Sequence, residues 1–320
     1  MAKPFTREDD LIDAIATRIN PFWQQDVTTG TFAGKDNVDV FYAWCKPDNA
    51  HATIVISSGR IESLLKYKEL IYDFFRQGYA VFILDHRGQG MSGRMTHDPQ
   101  HGYVADFEDY VDDLITFTHK IVAPLEVGAR YLLCHSMGGA IGALTLLKAP
   151  ELFSKAVLCS PMFGIRPALP RWVSNMLIGA GLAFNRARKR QSGYFFGQTP
   201  YLAYPYALNK LTHSEIRYRL FRDLYDEERE IQLGGVTTEW LQAALTAMDK
   251  IESCAAQIST PTLVVSASQD KIIDNKRQLA VARRMQNGTV IEMQGAYHEL
   301  FTESDDYRIP LLTKVVDYLQ

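Results

Sequence analysis

The six residues Cys134 to Gly139, CHSMGG, place a serine between the apolar run Tyr131-Leu132-Leu133 and a second run, Ala140 to Leu144, that continues sensibly only as a helix. A hydroxyl at a strand-to-helix turn becomes a nucleophile when the turn is sharp enough to expose it and a base stands within hydrogen-bond reach. Sharpness demands small residues around the serine, because bulky side chains there strike the neighbouring backbone. Gly138 and Gly139 meet that demand. Cys134 stands where the G-x-S-x-G pattern has its first glycine, a departure that a small side chain can tolerate.

A serine nucleophile needs a base and an acid that orients the base, and in this turn chemistry they come in the chain order Ser, Asp, His. The run Pro261 to Ser266 is β-branched and leads to Asp270; Thr289 to Met293 reads as a final strand and leads to His298. Asp270 and His298 therefore sit on consecutive strand-exit loops. Asp274 is the runner-up acid, better suited to a helix N-terminus. The run Ile54 to Ser57 ends in Ser58-Gly59-Arg60, where the backbone N–H of Arg60 would join that of Met137 in an oxyanion hole. Ser58 replaces the usual histidine before the glycine, which leaves the bracing of this loop open. The Arg60 side chain can also be read as a solvated charge.

These residues require a scaffold that delivers several loops to one edge. Strands are predicted at Val38–Trp44, Thr53–Ser57, Ala80–Leu84, Tyr131–Leu133, Ala156–Cys159, Thr262–Ser266 and Val290–Met293. Helices are predicted at Leu64–Gln77, Tyr103–Val122, Gly138–Lys148, Asn275–Met285 and Ile309–Tyr318. Such alternation implies a mostly parallel twisted sheet covered by helices on both faces. With the serine turn it defines the α/β-hydrolase fold. The rhythm breaks from 166 to 252, where helical runs such as Glu215–Glu230 and Thr238–Ile251 occur without a clear strand. That interval, between Ala156–Cys159 and Thr262–Ser266, is expected to form a helical cap inserted between the sixth and seventh strands of that fold, leaving 1–165 and 253–320 as the two parts of the core.

Composition permits this architecture and excludes others. The chain has 320 residues, 47% of them hydrophobic, and a formal net charge of −3, which speaks against nucleic acid as a partner. Its first twenty residues are acidic and amphipathic, unlike a secretory signal. Four scattered cysteines give neither a zinc pattern nor a disulfide framework and point to a cytoplasmic setting. His97 and His101 are four apart, but Pro99 between them argues against a helical metal site, so no metal is expected. Gly88, Gly90 and Gly93 satisfy the G-x-G-x-x-G spacing after a strand. A dinucleotide site would need a helix to open there, and the next segment, Arg94 to Gly102, is loop by composition.

CHSMGG, DHRGQGMSGR from Asp85 to Arg94, SQDKIIDN from Ser268 to Asn275 and GAYHEL from Gly295 to Leu300 together resemble the bacterial lysophospholipase L2 family, close to the monoacylglycerol lipases. The motifs span nearly the whole chain. The resemblance implies hydrolysis of the single acyl ester of a lysophospholipid and peripheral association with the cytoplasmic face of the inner membrane. Ser136 then serves as nucleophile, His298 as base and Asp270 as the acid that orients it, with no metal or organic cofactor. His135 and His86 are expected to be structural, since a triad uses one base.

Two alternatives fit many of the same residues. A peptidase of the same fold, such as a proline iminopeptidase, would want cap carboxylates for a free amine, and Asp226, Glu227, Glu228, Glu230 and Glu239 are candidates. A non-catalytic ligand-binding protein would not need Ser, Asp and His together. Finally, Arg166 to Arg190 holds six cations and no acid. Trp172, Val173, Met176, Leu177, Ala180 and Phe184 approximate a helical stripe there, and Arg186, Arg188, Lys189 and Arg190 come at its end. This segment either packs on the core or docks on an anionic membrane.

Overall fold

A computed structural model describes residues 4–166 and 169–320. Eight strands form one sheet in the order β1-β2-β4-β3-β5-β6-β7-β8. They are β1 Thr28–Ala33, β2 Asp39–Cys45, β3 Ala52–Ser57, β4 Tyr79–Leu84, β5 Arg130–His135, β6 Lys155–Cys159, β7 Thr262–Ala267 and β8 Gly288–Met293. All pairs from β4 through β8 are parallel. β1 and β2 add an antiparallel edge. β1 is the strand that the sequence pattern missed. Its TTGTFA is polar and glycine-bearing, and only Phe32 is buried, so it lacks the apolar alternation that marks the others.

Helices are α1 Leu11–Ala14, α2 Asn20–Gln25, α3 Lys68–Arg76, α4 Glu108–Phe117, α5 Met137–Lys148, α6 Arg171–Ala187, α7 Glu215–Glu227, α8 Thr238–Cys254, α9 Asn275–Ala282 and α10 Asp305–Leu319. Both faces of the central strands are covered, which is why β3, β4 and β7 are buried at every position. Ile54 and Ile56 of β3 join Ile71 and Phe74 of α3 and Leu311 and Val315 of α10 on one face. Val55 joins Tyr110 and Leu114 of α4, Ile141 of α5 and Met248 of α8 on the other.

Helices α6, α7 and α8 lie between β6 and β7. The parallel strands all point their carboxyl ends to one edge of the sheet, where loops gather at the usual position for a site in such folds. Ser57, Cys134 and Leu158 end in register there, as do Ala267 and Met293.

Candidate active site

The turn from β5 into α5 holds Ser136 at φ 50°, a conformation a non-glycine residue adopts only when its surroundings fix it. The fixing groups are visible. The Ser136 N–H donates to the Cys159 carbonyl at 3.0 Å, and the Ser136 carbonyl accepts from the N–H of Met162 at 2.9 Å. A Cβ on Gly138 would fall 2.0 Å from the Ser57 carbonyl oxygen, so α5 can approach the end of β3 only with glycine there. The Cys134 sulfur fits against α5 opposite Gly142, where a Cβ would lie 2.6 Å from it.

Ser136 Oγ lies 3.0 Å from His298 Nε2, and His298 Nδ1 lies 2.7 Å from Asp270 Oδ2. The other Asp270 oxygen accepts the N–H groups of Ile272 at 2.7 Å and Ile273 at 3.0 Å. Burial opposes ionisation of Asp270. The facing His298 and the two N–H donors outweigh it and keep the carboxyl below its ordinary range. Asp274 is elsewhere: it is the N-cap of α9, accepting from the N–H of Lys276 at 3.1 Å and of Arg277 at 3.4 Å.

Across from Ser136, the loop after β3 is braced by groups that the sequence pattern does not reveal. The Gly59 N–H donates to Glu62 Oε2. Gln89 Nε2 donates to the carbonyls of Gly59 at 2.7 Å and Glu62 at 2.9 Å. Ile61, β-branched and at φ 68°, is held at its carbonyl by the Tyr225 hydroxyl of α7. Glu62 and Gln89 thus supply the bracing that the missing histidine at Ser58 left open. The N–H groups of Arg60 and Met137 have no acceptor among the described residues; Met137 directly follows Ser136, and Arg60 and Ser136 line one cavity.

The glycine run after β4 is part of this brace. Asp85 accepts from the N–H of Leu64 at 2.6 Å and of Met91 at 2.7 Å. A Cβ at Gly90, φ 55°, would fall 2.1 Å from an Asp85 oxygen. The loop therefore folds back onto its own aspartate instead of opening a helix. His86 is buried, with Nε2 3.0 Å from Ser57 Oγ, and burial pushes its pKa down to about 3.

Beside the triad lies a second histidine–carboxylate pair. His135 Nδ1 lies 3.2 Å from Glu62, while Lys66 Nζ bonds both Glu62 and Glu299 at 2.6 Å. Burial alone would keep His135 neutral; Glu62 and Glu299 more than offset it and raise its pKa to about 9. Burial likewise opposes the Glu62 charge, but Lys66 and His135 hold that carboxyl well below its usual range. Among the described residues, Glu62, His135 and Glu299 form the one group with the clustering of metal ligands. The Lys66 ammonium already engages both of its carboxylates. His101 instead pairs with Asp98 at 3.3 Å.

These residues open on a cavity of about 550 Å³ whose wall includes Ser136, His298, Met162, Ile165, Leu202, Phe221, Leu233 and Trp240. Its acids are Glu62 and Glu299, both engaged by Lys66. The acids Asp226, Glu227, Glu228 and Glu230 are exposed and do not line it. Glu239 holds Asn185 at 2.8 Å and Ser192 at 3.1 Å. In α6, Ile178, Gly181 and Asn185 face inward, while Trp172, Met176 and Phe184 are exposed. Arg186, Arg188, Lys189 and Arg190 are exposed at its end, with the Arg188 guanidinium 4.4 Å from the Phe184 ring centre.

A mixed eight-stranded sheet with a strained serine turn at the carboxyl ends of its parallel strands, and with an aspartate and a histidine on the loops after β7 and β8, defines the α/β-hydrolase fold. Comparison with known proteins agrees. The family described as serine aminopeptidase, S33, matches residues 48–305. Lysophospholipase L2 of Escherichia coli is 36% identical over 98% of this chain and 93% of its own length. The monoglyceride lipase of Rattus norvegicus is 28% identical over 83% of each chain. The crystal structure of Paleococcus ferrophilus monoacylglycerol lipase superposes with a TM-score of 0.66 at 17% identity, covering 92% of this chain and 98% of that one. The chain belongs to this family, within the branch that holds the L2 lysophospholipases and the monoglyceride lipases, and is a carboxylic ester hydrolase.

Proposed function

We propose that the protein cleaves the single acyl ester of a lysophospholipid or a monoacylglycerol-like lipid through an acyl-enzyme on Ser136. The observation that carries this reading is the unbroken chain Ser136 Oγ, His298 Nε2, His298 Nδ1, Asp270 Oδ2, with contacts of 3.0 and 2.7 Å. In the mechanism, Oγ attacks the ester carbonyl as its proton passes to His298 Nε2. The carbonyl oxygen, now an oxyanion, is met by the N–H groups of Met137 and Arg60. His298 returns the proton to the leaving glycerol oxygen, and the ester C–O bond breaks. Water then attacks the acyl-enzyme by the same steps in reverse, releasing the fatty acid. Asp270 fixes the imidazole tautomer and stabilises its transient charge.

Within this reading residues 166–252 act as a cap over a core made of 1–165 and 253–320. The exposed stripe of α6 and its cations are the membrane contact. The apolar side chains enter the headgroup boundary and each basic residue near an anionic surface contributes about 1 kcal/mol, decaying over about 8 Å at physiological salt. None of the described helices is long and apolar enough to cross a membrane; the contact proposed is a peripheral one. The aminopeptidase alternative wants a free carboxylate in the cavity, and Lys66 holds both of those present.

The test is one panel. The protein is labelled with a fluorophosphonate probe and then assayed on a lysophospholipid, a monoacylglycerol and an aminoacyl-naphthylamide. Labelling with turnover of the esters is expected; turnover of the amide alone would overturn the reading. For the membrane, replacing Arg186, Arg188, Lys189 and Arg190 by Gln should weaken sedimentation with phosphatidylglycerol vesicles at low salt while sparing a soluble short-chain ester. Equal sedimentation of variant and parent would remove this segment from the contact.

A further inference from the structure

The loop after β3 is hydrogen-bonded to the core at Gly59 and at Glu62. Gly59 is held by Glu62 and Gln89, and Glu62 in turn by Gln89, Lys66 and Tyr67. The two residues between them face the other way. Among the described residues, all the hydrogen bonds of Arg60 and Ile61 go to 225–235, the end of α7 and the loop that leads to α8. The Tyr225 hydroxyl donates to the Ile61 carbonyl. Arg60 Nη2 donates to the carbonyls of Gly234 at 3.0 Å and Gly235 at 2.7 Å, and the guanidinium lies 5.0 Å from the Trp240 ring centre. These partners are themselves fixed, since the Gly234 N–H donates to the Gln100 carbonyl and the Gly235 N–H to that of Thr199, both at 2.9 Å.

The middle of this loop needs such a hold. Ile61 is at φ 68°, in the left-handed region that a β-branched residue occupies only under constraint. With Gly59 and Glu62 fixed on either side, any relaxation of the Ile61 φ has to be taken up by the Arg60 backbone, and the Arg60 N–H turns with it. Tyr225 is fully buried, its ring centre 4.5 Å from that of Phe221 and 5.8 Å from that of Tyr201. It is not in the wall of the cavity, and its hydroxyl makes no hydrogen bond to Ser136, His298 or Asp270. That hydroxyl therefore reaches the chemistry through the loop and not through the substrate.

We propose that Tyr225 is a positioning residue for the ester hydrolysis: its hydroxyl, with the Arg60 guanidinium as a second tie, keeps Ile61 in its left-handed conformation and so aims the Arg60 N–H at the developing oxyanion. This rests on the serine-hydrolase reading and on the Arg60 N–H as a donor in it. The oxyanion hole then has two supports that lie far apart in the chain. One donor is fixed by the turn after β5, the other by α7 and the loop that follows it. A movement of 225–235 away from the core would weaken catalysis without touching Ser136, His298 or Asp270.

The test reads kcat and KM for 4-nitrophenyl butyrate together with the second-order rate of fluorophosphonate labelling, since the phosphonyl oxygen enters the same hole. Tyr225→Phe keeps the ring and removes the hydroxyl. It should lower kcat and the labelling rate by about 10- to 100-fold, with KM within about twofold of the parent value. Adding Ile61→Gly should restore most of both rates, because glycine takes a positive φ without strain. A fold lost for some other reason would not return with a glycine. A Tyr225→Phe protein with the parental kcat would overturn the proposal, as would a loss confined to KM or a loss that Ile61→Gly leaves in place. A parent that neither labels nor cleaves the ester would sink the hydrolase reading, and the proposal with it. A parent active in both, beside an indifferent Tyr225→Phe, sinks the proposal alone.

Discussion

Two histidine–carboxylate pairs stand side by side in this protein, with ring centres 4.9 Å apart, and only one of them is equipped to do chemistry. His298 presents Nδ1 to Asp270 and Nε2 to a serine hydroxyl on the cavity wall. His135 presents Nδ1 to Glu62 but Nε2 to the backbone carbonyl of His298, at 3.2 Å. A carboxylate beside an imidazole is thus no sign of a base. What separates the two is the far nitrogen, which in one pair meets a proton to be moved and in the other a carbonyl that accepts and never gives. Lys66 deepens the difference by locking Glu62 and Glu299 into the second pair. The second pair supports the first: through His135 it holds the His298 backbone, and through Glu62 it holds the Gly59 N–H of the loop after β3.

Substitutions can break each pair separately. Removing the proposed nucleophile should have the largest effect. Ser136→Ala should abolish fluorophosphonate labelling and lower turnover by roughly 10⁴ or more, with the fold kept because the lost hydroxyl's hydrogen bond is to His298 alone. Labelling that persists in this variant would place the nucleophile elsewhere. Asp270→Asn should come next at about 10³–10⁴ in kcat, because an amide at that position favours the wrong imidazole tautomer. A smaller loss than that of Glu62→Gln would exchange the roles of the two pairs.

Glu62→Gln should act on the support. It leaves Lys66 and His135 with less counter-charge in a closed site, costing about 3–5 kcal/mol of stability, and kcat should fall roughly tenfold through the loosened oxyanion loop while KM stays near the parent value. Linkage gives a second readout. The folded pKa of His135 is raised from 6.5 to about 9, so its contribution is fully present below pH 6.5 and is lost as pH rises through about 9. Melting temperature in the parent should decline across that window, and Glu62→Gln should flatten the decline. An unchanged slope would show that His135 is not charged in the folded protein.

The hydrogen-bonded chain proposed as catalytic is legible in the sequence and the supporting pair is not, for a physical reason. Ser136, Asp270 and His298 each come after a β-branched or apolar strand, and strand exits on a parallel sheet converge, so chain order alone brings them together. Glu62, Lys66, His135 and Glu299 have no such order. Glu62 and Lys66 sit at i and i+4 in a loop that becomes a 3₁₀ turn, Glu299 simply adjoins His298, and their partnership exists only after folding. DHRGQGMSGR is visible as a motif, but its use is not, because Gln89 reaches carbonyls far away in sequence. The α6 stripe is recognisable as helical, yet its direction cannot be read, since periodicity is the same for a face turned in or out. Gly181 and Asn185, facing α8, settle that Trp172, Met176 and Phe184 point outward.

The smallest expected effect tests the comparison from outside, on the carboxylate nearest in sequence to the catalytic one. Asp274 lies four residues beyond Asp270, and by spacing alone either could face His298. Its Oδ1 is spent on two backbone N–H groups of α9, and no histidine is among its hydrogen-bond partners. Asn caps a helix about as well as Asp, so Asp274→Asn removes only the interaction of the charge with the helix dipole, about 0.3–1 kcal/mol at low salt. Denaturant unfolding should therefore shift slightly, less so as salt is added, and kcat/KM for a short-chain ester should stay within about twofold of the parent, the scatter expected when no reacting group is touched. A loss comparable to that of Asp270→Asn would mean that the loop after β7 rearranges when substrate binds, and that the hydrogen bonds of Asp270 and Asp274 described above do not decide which acid serves the histidine.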